Sequence, residues 1–147
     1  MTSLIDPHNL QRFLEAQAGV YEQVLAELRA GRKHSHWIWF IFPQIAGLGH
    51  SPTAQHYAIR SLSEAEAYMQ HPVLGARLHE CTVIVNHIDG SSIHQIFGSP
   101  DDLKFRSSMT LFARATNDNK LFLTALEKYF SGEPDALTLE RIASQIR

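Results

Sequence analysis

"GRKHSHWIWFIFPQIAGLGHS", Gly31 to Ser51, joins cations and histidines to an unbroken apolar run and then to a glycine-rich exit. The run "HWIWFIF", residues 36–42, decides the fold class. Its β-branched and aromatic content favours a strand. It is too short for hydrophobic periodicity to arbitrate, and as a helix it is apolar on every side. In either form it must cross the interior, and Pro43 ends it.

Outward from this run the chain reads as helical. Before it, Leu10, Phe13, Leu14, Val20, Tyr21, Val24, Leu25 and Leu28 recur at helical spacing. That stripe predicts one opening helix, with Asp6 as cap, Pro7 in the first position and Gly31 as the stop. After it, Ser51-Pro52 and Ser99-Pro100 mark two helix starts, and "SEAE" (63–66) matches a capping box. Leu74, Leu78, Cys81, Val85 and Ile88 form a stripe between Pro72 and Ile88. "KLFLTALEKYF" (120–130) forms another, stopped by Gly132, and Thr138 is placed to cap a short last helix, "LERIASQI". Loops are short, nothing repeats, and no Ser/Gly/Pro linker divides the chain. The expectation is a single all-α domain over 1–147, a bundle of about six or seven helices around a central Trp-containing segment.

Composition narrows the function classes. With 147 residues and 44% hydrophobic content, the chain is long enough to bury about 68–70% of its unfolded surface. Lone Cys81 has no partner for a bridge and reads as a small buried hydrophobe, in keeping with a reducing compartment. "MTSLIDPHNL" lacks a basic region followed by an apolar one, and no apolar run approaches the ~18 residues of a membrane helix. The expected location is the cytoplasm, without membrane contact. A formal charge of −2 with dispersed Lys and Arg argues against charge-driven nucleic-acid binding. A monomer is expected.

One helix carries an unusual polar pattern. In "PDDLKFRSSMTLFARAT" (100–116), Phe105, Met109, Leu111 and Phe112 define an apolar arc, while Arg106, Thr110 and Ala113 point the other way. Asp101, Lys104 and Ser108 lie at i, i+3 and i+7 within that arc, a polar line on the face that should be buried. A buried lysine needs a partner, and Asp101 is the local one. The plain reading is a helix start that favours carboxylates, with Lys104 snorkelling to water. The functional reading is a lysine, an acid and a hydroxyl converging near a helix N-terminus, a place suited to an anionic ligand.

The opening stretch supplies counterparts. Lys33 could meet phosphate, the faces of Trp37 and Trp39 could stack on a planar ring, and Gln44 offers an amide. Either Trp could equally fill core volume. Among nine histidines, His36 is expected to be the buried one and the acid/base candidate. His34 and His36 have a spacing that metal sites use, but no further ligand follows, so no metal and no cofactor is expected. "GLGHS" before Ser51 fits a turn better than a phosphate cradle, since it lacks the flanking elements of either nucleotide-binding loop.

"GRKHSHWIWFIFPQIAGLGHSP", "YAIRSLSEAEAYMQHPVLGARL" and "IFGSPDDLKFRSSMTLF" together resemble a bacterial domain-of-unknown-function family, number 1810. The resemblance spans Leu10 to Leu139 and implies a small, largely helical fold, which decides "HWIWFIF" in favour of helix. Tyr57, Asp102 and Ser107 join the candidates through it, as positions matching the family's recurrent motifs. Ile38 stands where the pattern has methionine, a swap that keeps volume. The family is sometimes labelled calpastatin, but that inhibitor is a disordered repeat chain, unlike these capped amphipathic helices. A fainter similarity of theme links the sequence to YbiA-like proteins that act on ADP-ribose derivatives.

The resulting expectation is a pocket for a small anionic, nucleotide- or ADP-ribose-derived ligand. Lys104, His36 and Asp102 are its catalytic candidates; Lys33, Trp37, Trp39, Gln44, Ser51, Tyr57, Ser107 and Ser108 are its binding candidates. The alternative is a non-catalytic interaction module whose motif residues are structural.

Overall fold

The opening stripe is cut in two. In the computed structural model, which describes residues 6–146, α1 (Gln11–Gln17) ends at Ala18 and α2 (Tyr21–Arg29) starts after Gly19. Gly19 has φ +79°, a left-handed conformation that a side chain resists and a continuous helix cannot contain. Asp6 is not the N-cap, which is Leu10, and Pro7 lies before the helix; Asp6 instead reaches across the intervening turn, Oδ1 accepting from Leu10 N at 2.7 Å and Oδ2 from Gln11 N at 3.0 Å. Gly31 closes α2 as expected: its N–H donates to Leu28 O and that of Arg32 to Glu27 O, the paired bonds of a Schellman end.

The deciding run forms a helix of only four residues, α3 (Ile38–Ile41), with Trp37 at its N-cap. Pro43 cannot continue it, and the chain leaves extended. The strand-like composition is expressed beyond it as one isolated parallel bridge, Ile45 to Ile59, with Ile59 N donating to Gln44 O and Ala46 N to Ile59 O, both at 2.8 Å. Between the bridge partners lies α4 (Pro52–His56), capped by Ser51.

The remaining helices are α5 (Leu62–Gln70), α6 (Leu74–Asn86), α7 (Ile93–Phe97), α8 (Asp101–Ala115), α9 (Lys120–Phe130) and α10 (Ala136–Ile146). Among the described residues that makes ten, more than the six or seven expected, because Gly19 splits one segment and α7 is too short to show a period. Two caps are displaced from the sequence reading. Ser61, not Ser63, caps α5 by accepting from Glu64 N, and Asp135, not Thr138, caps α10 by accepting from Thr138 N and Oγ1.

Helix α8 is the axis of the packing, touching α3, α5, α7, α9 and α10. Phe105 stacks on Phe97 and meets Phe42 edge-on, both at 5.0 Å between centroids, and Phe112 packs on Tyr68. Thr110 and Ala113, expected to face outward, are buried because α10 covers that side; Thr110 Oγ1 accepts from Asp135 N. A single-helix arc cannot show a second cover supplied from the far end of the chain.

A buried ion pair joins distant segments. Arg12 spends all five donors: Nε on His56 O, Nη1 on His8 O and Asn9 O, and Nη2 on Ala58 O and Glu64 Oε2 at 2.6 Å. Glu64 also accepts from Arg60 N. The N-terminal loop, the end of α4 and the start of α5 are thus held at one point. No helix among the described residues is long and apolar enough to cross a membrane.

Candidate functional site

The site is built on a carboxylate that the sequence reading did not single out. Glu27 Oε1 accepts from His34 N at 2.7 Å, Ser35 N at 2.9 Å and Trp37 Nε1 at 3.0 Å, while Oε2 accepts from Ser35 Oγ and Gln23 Nε2. Burial opposes its charge, but the hydrogen bonds from Ser35, Gln23 and His34 outweigh it and hold the carboxyl well below the usual carboxylate range. Glu27 therefore shapes "KHSHW" into a rigid loop, consumes the Trp37 indole N–H and sets the direction of Lys33.

Lys33 reaches α8. Its Nζ lies 2.7 Å from Asp101 Oδ2, donates to Ser35 O, and sits 5.1 Å over the Trp37 ring, with its side chain only 5% exposed. Asp101 Oδ1 is also 3.5 Å from Lys104 Nζ, and Lys104 stands 4.8 Å over the ring of Trp39 with its side chain 23% exposed. The opening stretch and the polar line on α8 therefore meet, through one carboxylate shared by two ammonium groups. The two lysines differ: Lys33 is enclosed and tightly paired, whereas Lys104 is loosely paired and partly exposed.

Trp37 and Trp39 differ in the same sense. Trp37 is buried and packs toward Phe42 and Phe97, a core residue with its polar atom used. Trp39 is half-buried and lines a cleft with Gln44, Ile45, Gly49, Ala54, Tyr57 and Ala58. The Gln44 amide and the Tyr57 hydroxyl make no side-chain hydrogen bond among the described residues, so both keep polar capacity at the cleft. Its free volume is about 10 Å³, room for about one water.

The other candidates fall as follows. Ser108 is fully buried and its Oγ has no partner among the described residues, whereas Ser107 and Thr110 on the same helix donate back to Leu103 O and Arg106 O. Asp102 faces His94, with 3.4 Å between Oδ2 and Nδ1, and not Lys104. Ser51 is exposed and engaged as the α4 cap. His36, expected to be buried, is exposed and makes no side-chain hydrogen bond among the described residues, because the loop around Glu27 turns inward at Ser35 and Trp37 instead. The α8 start is not open to an anion as expected: the N–H groups of Asp102, Leu103 and Lys104 already donate to Gly98 O and Pro100 O. No group of three or more His, Cys, Asp or Glu residues among the described residues is placed to hold a metal ion.

Glu27 and Arg12 left a faint signal. Each is a charged residue beside strongly apolar neighbours on its helix; Glu27 finds Gln23 one turn back and its other donors in the loop after α2, while Glu64, the carboxylate partner of Arg12, lies on α5.

Comparison with known proteins places this arrangement in a family. The crystal structure of the conserved hypothetical protein Rv1873 from Mycobacterium tuberculosis is similar over 94% of this chain and 99% of that one, at 59% identity and a TM-score of 0.93. No curated protein matches the chain. The family model described as "Protein of unknown function (DUF1810)" matches residues 7–142, and the chain belongs to that family.

Proposed function

We propose that the protein binds a small anionic ligand with a planar ring, of the nucleotide or ADP-ribose kind, at Lys104 and the Trp39 cleft. The observation that carries this reading is the junction at Trp39: one ring meets a loosely paired ammonium and also borders a cleft with an unengaged amide and hydroxyl. An anionic group would exchange with Asp101 as the partner of Lys104, and the ring would lie on Trp39 with its polar edge toward Gln44 and Tyr57.

Lys104 acts in this reading as a charge anchor. A carboxylate and an indole face are the partners of an ammonium, not of a free nucleophilic amine. Lys33, Trp37, Ser51 and Ser107 support the site without touching ligand, each being occupied by protein partners. Exposed His36 has no positioned partner, so binding is better supported than turnover.

Thermal shift and calorimetry with inorganic phosphate, AMP and ADP-ribose test the proposal. At least one should raise the melting temperature of the parent protein, and Lys104→Ala should weaken that ligand about tenfold or more, the loss of one charge-assisted contact. Equal binding by Lys104→Ala, or no shift with any of these ligands, would sink it. The alternative, a non-catalytic interaction module with structural motif residues, draws on the small volume of the cleft. It expects no ligand response and a stability loss as the main effect of Lys104→Ala.

A further inference from the structure

We infer that residues 47–55, carrying α4 up to its anchored last residue, form a lid over the Trp39 cleft that opens as a unit to admit ligand. The inference rests on the reading of the cleft as the ligand site. A volume of about 10 Å³ holds one water but no ring, so a ligand of the proposed kind cannot enter unless a wall moves.

The wall that can move is identified by its bonds. The excursion is closed at its base by the Ile45–Ile59 bridge, whose two 2.8 Å hydrogen bonds belong to the body of the fold. At the C-terminal side Arg12 holds His56 O and Ala58 O, each at 2.9 Å, and the Tyr57 ring packs 5.4 Å from Phe40. Between these anchors the segment is self-contained. Among the described residues, the hydrogen bonds of residues 48–55 close within the excursion: Ala54 N to Ser51 Oγ, Gln55 N to Ser51 O, Gln55 Nε2 to His50 O, and the turns of α4 itself. No residue of α4 is buried, and half-buried Leu48 is the large apolar side chain that seats the segment on the core. Such a segment has little to lose by opening, since its own bonds survive the motion.

The N-terminal side supplies the hinge. Gly47 has φ +99°; its carbonyl accepts from exposed Arg141 at 3.4 Å, and the same guanidinium lies over the glycine where a Cβ would stand. Gly49 holds the segment together: a Cβ there would lie 2.6 Å from Ala54 Cβ, and since both residues belong to the lid this contact travels with it. The lid therefore moves without breaking its own packing, and α4 is pinned at its far end by Arg12.

Hydrogen exchange on the unaltered protein tests this directly. The amides of Ala54, Gln55 and Tyr57 should exchange about tenfold or more faster than those of Ala46 and Ile59, and ADP-ribose should slow them. Protection equal to that of Ala46 and Ile59 would overturn the lid. A second measurement uses Trp37→Phe, which leaves Trp39 as the only tryptophan. Leu48→Ala in that background, which removes the side chain that seats the lid, should raise acrylamide quenching of Trp39 about twofold, and Leu48→Met should bring it back toward the parent. Unchanged quenching in Leu48→Ala counts against the lid. Fast exchange at α4 that ADP-ribose, AMP and phosphate all leave unaltered would keep the lid and remove the ligand reading; core-like protection with ADP-ribose still bound would do the opposite.

Discussion

Replacing Glu27 by glutamine probes the foundation of the site with almost no change of shape. The carboxylate accepts three hydrogen bonds at Oε1, from His34 N, Ser35 N and Trp37 Nε1, and two at Oε2, from Ser35 Oγ and Gln23 Nε2. The best glutamine orientation keeps an oxygen toward the first three donors and turns the amide nitrogen toward Ser35 and Gln23, both of which can rotate to accept. Three charge-assisted bonds then become neutral ones. Each conversion costs about 0.5–1.5 kcal/mol, so Glu27→Gln should lose roughly 2–4 kcal/mol. That is a large share of the ~5–15 kcal/mol of a typical domain.

The sign of the pH effect is a second signature. The folded-state pKa of Glu27 lies below the ordinary value of 4.5, so near that pH the unfolded chain binds the proton first. The stabilisation is fully present above the unfolded value and is lost as pH falls through the folded one. Urea unfolding followed by circular dichroism should therefore show a gap between parent and variant that is constant from pH 7 to about 5 and narrows below about 4.5. A gap under about 1 kcal/mol at pH 7, or one unchanged down to pH 3, would refute the reasoning.

Other expectations concern the packing around the site. Arg12→Met leaves Glu64 buried without its counter-ion and should cost about 3–5 kcal/mol, read as a fall in urea midpoint; a loss below 1 kcal/mol would mean the clamp is replaceable. Gly75→Ala would drive its Cβ into the Met69 carbonyl where α6 starts beside α5, and should lower stability by about 2 kcal/mol or more in a thermal melt. Cys81 is buried and its thiol is pushed up to about 12, chiefly by that burial. Native protein at pH 8 should therefore resist a thiol reagent such as DTNB and react fully only in denaturant; rapid native labelling would contradict the burial.

Much of the helical pattern is carried by local chemistry that the chain contains without folding. The stripe from Leu74 to Ile88, the run from Lys120 to Phe130, and the stops at Gly31 and Gly132 all depend on residues within one or two turns of each other. Caps were legible only approximately. Ser61 displaced Ser63 because the α5 register places Glu64 against Arg12, a residue on another helix. Both Ser-Pro pairs stand at helix starts: Pro52 opens α4 after the Ser51 cap, where a proline loses no hydrogen bond, and Pro100 is the N-cap of α8.

The candidate site divides along the same line. Asp101, Lys104 and Ser108 were visible as polar residues in an apolar arc, because helical spacing alone puts them on one face. What spacing could not show was that Asp101 also pairs with Lys33, that Trp37 is spent on Glu27 while Trp39 opens on a cleft, or that His36 faces water. The first depends on partners far apart in the chain and the others on how the loop after α2 folds back onto Glu27, and a side chain's role follows from what the fold brings against it. The sequence by itself determined where helices start, what they bury and which residues are chemically capable. Only the tertiary structure decided which of those residues are satisfied by the protein and which remain free to meet something else.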